Sequence, residues 1–189
     1  DSSPSRGLGD VYKRQRYTQS NTFKKKYERI KKELNDDERI PSAYYQNGEM
    51  YNFWRDEKNV RGVWRKTSFK SYLKDEPIWE NILDIDQLAN DEGINWLYKG
   101  ADCLAPEYKR CLIRLSDGGT DAVTIREFDL KEKKFVKDGF NTYPSKQNAS
   151  WINEDQILIG ADFGEGSMNE SGYPMQVKLW NRGESLEAV

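Results

Sequence analysis

The sequence predicts a mainly β fold: a partial β-propeller of about two to three four-stranded sheets, preceded by one α-helix. Aromatic residues make up 13% of the chain, and such residues favour the pleated, half-buried surfaces of sheets. Short strand-like segments separated by turn signals begin near Arg39. They form sets of about four that recur roughly every 50 residues, which is the period of a propeller blade rather than of a sandwich.

One helix is predicted at residues 20–34, within an N-terminal helical segment at 16–37. Ser20 or Asn21 can cap its start. The apolar residues recur at steps that place them on one helical face: Phe23, Tyr27, Ile30 and Leu34. The opposite face is rich in lysine, which we interpret as a solvated surface because no other basic stripe accompanies it.

Residues 1–15 are rich in serine and glycine and show no helical or strand periodicity. We interpret this segment as a non-native or disordered tail and leave it out of the predicted fold.

The predicted propeller segment spans residues 38–189, with blades at about 40–90, 93–140 and 147–189. Alternating apolar residues and turn signals predict the following strands: 42–45, 50–56, 62–68, 80–85, 95–104, 108–116, 122–130, 134–136, 149–152, 156–162 and 175–182.

The two cysteines are expected to be buried free thiols. Cys103 and Cys111 lie on neighbouring predicted strands joined by residues 105–107. A hairpin folded tightly about that turn would place Cys103 beside Tyr108 and Cys111 beside Gly100, which argues against a disulfide.

Composition excludes several kinds of site. The net charge is −2, so no global field attracts nucleic acid, and no apolar run is long enough to span a membrane. The chain contains no histidine, so a Ser-His-Asp or Cys-His site cannot be built from it alone. Two cysteines without histidine also cannot make a four-ligand zinc site. We therefore predict no catalytic, cofactor-binding or metal-binding residues.

Two acidic patterns resemble functional sites, but we interpret both structurally. Asp84 and Asp86 resemble the start of a calcium loop, but Leu88 and Ala89 occupy places where an EF-hand needs an oxygen donor and glycine. Asp102 and Asp162 could suggest a pair of catalytic acids. We interpret both as turn residues whose carboxylates accept backbone amide protons.

Several strings, taken in order and spacing, resemble bacterial members of the prolyl oligopeptidase family of serine peptidases, over residues 16–189. They are YNFWRD (51–56), RGVWRKT (61–67), PIWE (77–80), LDIDQL (83–88), GADCL (100–104), YKRCL (108–112), LSDGGTDA (115–122), REFDL (126–130), DFGEGSM (162–168) and SGYP (171–174).

The resemblance implies a parent enzyme in which a seven-bladed propeller caps an α/β-hydrolase domain. That parent would hydrolyse short peptides, typically after proline, with a Ser-Asp-His triad, while the propeller limits substrate size. The present chain is expected to be a truncated N-terminal piece without the α/β-hydrolase domain or a G-x-S-x-G elbow, and inactive alone.

The expected partners are the α/β-hydrolase domain of the same parent chain and short peptide substrates, with no nucleic acid or membrane. The expected location is the cytoplasm, with export of the parent as the alternative. An alternative is a non-catalytic propeller that binds peptides or proteins. In either case, sheets with unpaired edges predict poor solubility or oligomerisation of the isolated chain.

Overall fold

A computed structural model gives the structure of the chain and describes residues 5–34, 36 and 42–189. The chain divides into two compact units, Asp1–Ile40 and Pro41–Val189. Residues 1–4 of the predicted tail, and the predicted boundary between helical and propeller segments at 37–38, lie outside the described residues.

The first unit contains two helices, α1 (Ser5–Thr18) and α2 (Asn21–Leu34). The predicted helix is confirmed as α2, and the Ser20 hydroxyl caps it by accepting the Phe23 amide proton at 3.1 Å. The tail interpreted as non-native or disordered is helical over residues 5–15, which belong to α1. Gly7 and Gly9 weaken the helical pattern there, whereas Lys13, Arg14, Gln15 and Arg16 are good helix formers.

The first sheet of the second unit has the order β1-β2-β3-β4, with all pairs antiparallel. Asn47 and Gly48 join β1 to β2 with φ angles of 48° and 84°, as a two-residue hairpin turn requires. Two short helices, which were not predicted from the sequence, follow β3 and β4. The elements are β1 (Tyr44–Gln46), β2 (Glu49–Trp54), β3 (Val63–Ser68), α3 (Phe69–Tyr72), β4 (Glu80–Asp84) and α4 (Ile85–Glu92).

The second sheet has the order β5-β6-β7-β8, and the third has the order β9-β10-β11. The third sheet thus has three strands among the described residues, where four per sheet were expected. The remaining strands are β5 (Trp96–Cys103), β6 (Arg110–Asp117), β7 (Thr124–Asp129), β8 (Lys134–Phe135), β9 (Asn148–Asn153), β10 (Gln156–Gly160) and β11 (Lys178–Asn181).

The second sheet lies between the other two and packs against both. Alternate residues of β6 point to opposite sides, as in any strand. Cys111, Ile113 and Leu115 are buried with residues of the first sheet. Leu112 is buried with Ile157 and with other residues of the third sheet. Two apolar layers therefore hold the three sheets face to face.

The prediction of two free thiols is wrong, because Cys103 and Cys111 form a disulfide. The loop between β5 and β6 is longer than the tight turn assumed from the sequence. The Leu104 amide donates to the Arg110 carbonyl at 2.9 Å, so Cys103 pairs directly with Cys111 in the next position of the ladder. That position is a non-hydrogen-bonded pair, where facing side chains come closest.

In the part of the chain that the structure describes, no helix is both long enough and apolar enough to cross a membrane.

Candidate functional site

The chain passes from one sheet to the next at a common end of the sheets. The strand registers place five connecting segments there: the β2–β3 loop, helix α4, the β6–β7 turn, the segment leading into β9 and the β10–β11 loop. We call this the connection end; it comprises residues 55–62, 85–95, 118–123, 141–147 and 161–177.

A cavity of about 340 Å³ opens at the connection end, between the second and third sheets. We call it the inter-sheet pocket. Its polar walls come from β5, β6, the β6–β7 turn, the segment entering β9 and the β10–β11 loop. The residues that define it are Lys99, Arg114, Asp121, Lys146, Gln147 and Tyr173.

Lys99 enters the pocket from a β-bulge. In the β5–β6 ladder Tyr98 pairs with Leu115 and Gly100 pairs with Arg114, so Lys99 is the extra residue between two paired positions. A bulge turns the side chain of its extra residue away from the regular alternation. The exposed Lys99 ammonium has no hydrogen-bond or ion-pair partner among the described residues.

Arg114 lies beside Lys99 on the neighbouring strand. Gly100 has a φ of 124°, and a Cβ added there would lie 3.1 Å from Arg114 Nη2. Glycine at this position therefore makes room for the guanidinium group. Arg114 Nε is buried and has no hydrogen-bond partner among the described residues. The partial burial of an arginine without a counter-charge is unusual, since buried charges are normally paired.

Lys146, by contrast, is neutralised. Its ammonium lies 3.6 Å from an Asp121 carboxylate oxygen and donates to the Ser171 carbonyl at 2.8 Å. It also lies 4.4 Å from the centroid of the Tyr173 ring. Asp121, the acidic residue of the pocket, therefore pairs with Lys146. Lys99 and Arg114 have no counter-charge among the described residues.

Gln147 lies in the pocket wall and carries a buried acceptor without a partner among the described residues. The residue is 6% exposed, and its amide nitrogen donates to the carbonyls of Val123 and Tyr143 and to the Thr142 hydroxyl. These three acceptors fix the orientation of the amide. The Gln147 carbonyl oxygen is then left buried, with no hydrogen-bond partner in the part of the chain that the structure describes.

No site residues were predicted from the sequence, so Lys99, Arg114 and Gln147 were missed. One signal was present: Gly100 interrupts the pattern of β5, and glycine inside a strand often marks a bulge. The cavity itself depends on contacts between residues far apart in the sequence, which no local pattern reveals.

The acidic residues that resemble site residues in the sequence have structural roles. Asp84 caps α4 by accepting the Gln87 amide proton at 2.9 Å, and Asp86 accepts the Arg61 amide proton at 2.9 Å. Asp162 accepts the Gly164 amide proton at 3.0 Å, as predicted, whereas Asp102 uses its backbone carbonyl to accept from the Trp151 indole. Among the described residues no cluster of acidic, cysteine or histidine side chains could hold a metal ion.

Repeated antiparallel sheets packed face to face are the arrangement of a β-propeller domain. A sequence profile of the prolyl oligopeptidase N-terminal β-propeller domain matches residues 10–188. The chain therefore belongs to the prolyl oligopeptidase family, within its N-terminal propeller domain. The match begins at residue 10, inside the segment interpreted as a tail from the sequence.

Two similar proteins are peptidases by name, and a similar solved structure is that of a peptidase. The chain is 42% identical over 151 residues to an uncharacterized peptidase of Sinorhizobium fredii, covering 79% of this chain and 21% of that protein. It is 35% identical over 178 residues to an uncharacterized peptidase of Rickettsia prowazekii, covering 85% and 24%. A solved structure of a post-proline cleaving enzyme from Rickettsia typhi superposes with a TM-score of 0.83 at 33% identity, covering 92% and 26%. The chain thus spans about a quarter of the length of these relatives.

Proposed function

We propose that this chain forms the first blades of a propeller that covers the catalytic α/β-hydrolase domain of a serine endopeptidase. The complete enzyme would cleave short peptides after proline, and the propeller would restrict substrate size. The likeness to the Rickettsia typhi post-proline cleaving enzyme carries this proposal, since one solved chain shares both 33% of the aligned residues and the fold.

The third sheet supports a propeller that continues with a further blade. Its inner face is buried against the second sheet, but Leu158 and Leu179 pair across the outer face and are 43% and 45% exposed. Ile152 is 48% exposed on the neighbouring strand. In a propeller each sheet face packs on the next blade, which would cover this apolar surface.

The first strands of the second and third sheets support a narrow central channel. The Trp151 indole on β9 donates to the Asp102 carbonyl on β5 at 3.0 Å. First strands that approach each other while the sheets fan outward are what a ring of blades around an axis requires. Such a channel would admit peptides and exclude folded proteins.

Helix α2 supports contact with another domain. Its apolar stripe is exposed, with Tyr27 at 53%, Ile30 at 55% and Leu34 at 65%. An apolar helical face is normally buried against a partner. We propose that the α/β-hydrolase domain of the parent covers it.

A chimera tests the proposal. Residues 42–189 of this chain would replace the aligned segment of the Rickettsia typhi enzyme, with that enzyme as the control. We expect hydrolysis of a chromogenic Gly-Pro peptide at a rate close to the control, with little cleavage of a folded protein that has exposed Pro-containing loops. A folded chimera that binds the peptide without cleaving it would favour a non-catalytic binding module. A chimera that cleaves the folded protein as fast as it cleaves the peptide would refute the role of the propeller in size selection.

A further inference from the structure

We infer that the inter-sheet pocket binds the free C-terminal carboxylate of a short peptide, held by Lys99 and Arg114. The choice of a peptide as ligand rests on the proposed function. The charge and geometry of the pocket are independent of it.

The net positive charge of the pocket favours an anionic ligand. Three basic residues and one acidic residue line it, and the acidic residue, Asp121, already pairs with Lys146. Lys99 and Arg114 come from neighbouring positions of adjacent strands, so two positive charges face one half-enclosed cavity without compensation. An anionic ligand would relieve their repulsion and form charge-assisted hydrogen bonds with both.

The backbone is shaped to present these two side chains. The bulge at Lys99 sends it into the pocket, and the positive φ of Gly100 leaves the space that the Arg114 guanidinium occupies. A planar guanidinium can hold a carboxylate through two parallel hydrogen bonds. Because Arg114 is already packed against Gly100, little side-chain freedom is lost when a ligand binds.

The neutral groups favour a peptide terminus over a bare anion. The last residue of a peptide carries a carboxylate and an amide N–H, both attached to the same Cα. The unpartnered Gln147 carbonyl oxygen is buried behind the pocket wall, so it can accept that N–H only if the wall opens slightly when the ligand binds. Phosphate at neutral pH carries O–H groups, but it has no amide N–H and no side chain to contact the apolar wall. Val123 and Pro174 add apolar wall for a side chain, and the 340 Å³ volume lies at the low end for small-ligand pockets.

Binding can be measured on this chain directly, because without histidine it cannot use a Ser-His-Asp triad to consume the peptide. The probes are a Pro-containing tetrapeptide with a free C-terminus, the same peptide amidated, and inorganic phosphate. The variant is Lys99→Gln, chosen because Lys99 is exposed and its loss should not affect folding. Lys109→Gln is the matched control, since Lys109 is an exposed lysine in the β5–β6 loop at the opposite end of the hairpin.

We expect the free acid to bind about tenfold more tightly than the amide, and Lys99→Gln to remove most of that difference. Lys109→Gln should leave it unchanged. Equal binding of acid and amide, or equal loss in both lysine variants, overturns the inference. Phosphate binding as tightly as the free acid, with the same dependence on Lys99, would make the pocket a general anion site and would also overturn it.

The chimera separates this inference from the proposed function. If it cleaves after proline but shows the same KM for acid and amide substrates, only the carboxylate site is refuted. If the chain binds peptide acids as expected while the chimera does not cleave, only the peptidase function is refuted.

Discussion

The ion pair between Glu127 and Arg182 joins the second and third sheets and should behave asymmetrically when either partner is changed. The Glu127 side chain on β7 is fully buried, whereas that of Arg182, which follows β11, is 30% exposed. Two hydrogen bonds of 2.9 and 3.1 Å connect the guanidinium to the carboxylate. This contact raises the pKa of Arg182. The Phe140 amide donates to the same carboxylate at 3.0 Å.

The cost of each substitution follows from what it leaves behind. Arg182→Met replaces the guanidinium group that lies over the Phe140 ring with an apolar side chain. It leaves a buried carboxylate, with Arg110 at 4.0 Å as its nearest remaining cation among the described residues. Breaking a buried pair costs about 3–5 kcal/mol, and we expect the low end, about 3 kcal/mol, because Arg110 remains. Glu127→Gln keeps an acceptor for Phe140, and the partly exposed Arg182 retains the Asp155 carboxylate at 3.4 Å and the Glu154 carbonyl as partners. We expect a cost of about 1–2 kcal/mol.

Urea unfolding followed by tryptophan fluorescence at pH 7 measures these free energies, since Trp180 is buried in the same apolar layer. The double variant Glu127→Gln/Arg182→Met should be more stable than Arg182→Met alone, because no uncompensated charge remains buried. The reasoning is refuted if Glu127→Gln costs more than Arg182→Met. It is also refuted if the two costs simply add in the double variant.

Three further results are expected. Replacing Cys103 and Cys111 by serine should lower the free energy of unfolding by about 2.5 kcal/mol, because the disulfide no longer restricts the short loop of the unfolded chain. Reduction of the disulfide by dithiothreitol should have the same effect, and an unchanged urea midpoint would contradict this. Burial raises the pKa of Tyr51 to about 12. The buried neutral phenol therefore contributes fully to the free energy of unfolding below about pH 10, and this contribution is lost as the pH rises toward about 12. Tyr51→Phe should therefore flatten the alkaline fall in stability, and an identical fall would contradict this. Leu158→Lys should reduce self-association in sedimentation velocity without unfolding the chain, whereas Ile157→Lys, on the buried face, should unfold it; equal effects would contradict the assigned faces.

The strands could be predicted because their signals are local. Every predicted strand corresponds to one in the structure, since alternation fixes which residues face the core and turn residues mark the ends. Helix α4 also carried local signals, with Asp84 as its N-cap and Gly93 in the left-handed conformation at its end. The spacing of Asp84 and Asp86 also resembles the start of a calcium loop, and that resemblance obscures the capping role of Asp84.

The disulfide and the pocket could not be predicted, for different physical reasons. The pairing of Cys103 with Cys111 depends on the conformation of a six-residue loop, which composition does not specify. The pocket depends on how the second and third sheets pack. Arg114 interrupts the apolar run of β6, but only the packed structure shows that it faces the third sheet and finds no counter-charge among the described residues there.

The packing interface between the second and third sheets, which we call the seam, gives the strongest argument that the pocket binds a ligand. Its middle is apolar, and charged residues lie toward both ends. At one end the buried Glu127 is matched by Arg182. At the connection end, Lys99 and Arg114 face the pocket and the nearby Asp121 is already taken by Lys146. The same two sheets thus neutralise a buried charge at one end of the seam and leave two positive charges unmatched at the other. A purely structural seam gains nothing from Arg114, because a partly buried charge without a partner among the described residues costs free energy that an apolar side chain would avoid. An anionic ligand that enters from the connection end accounts for it.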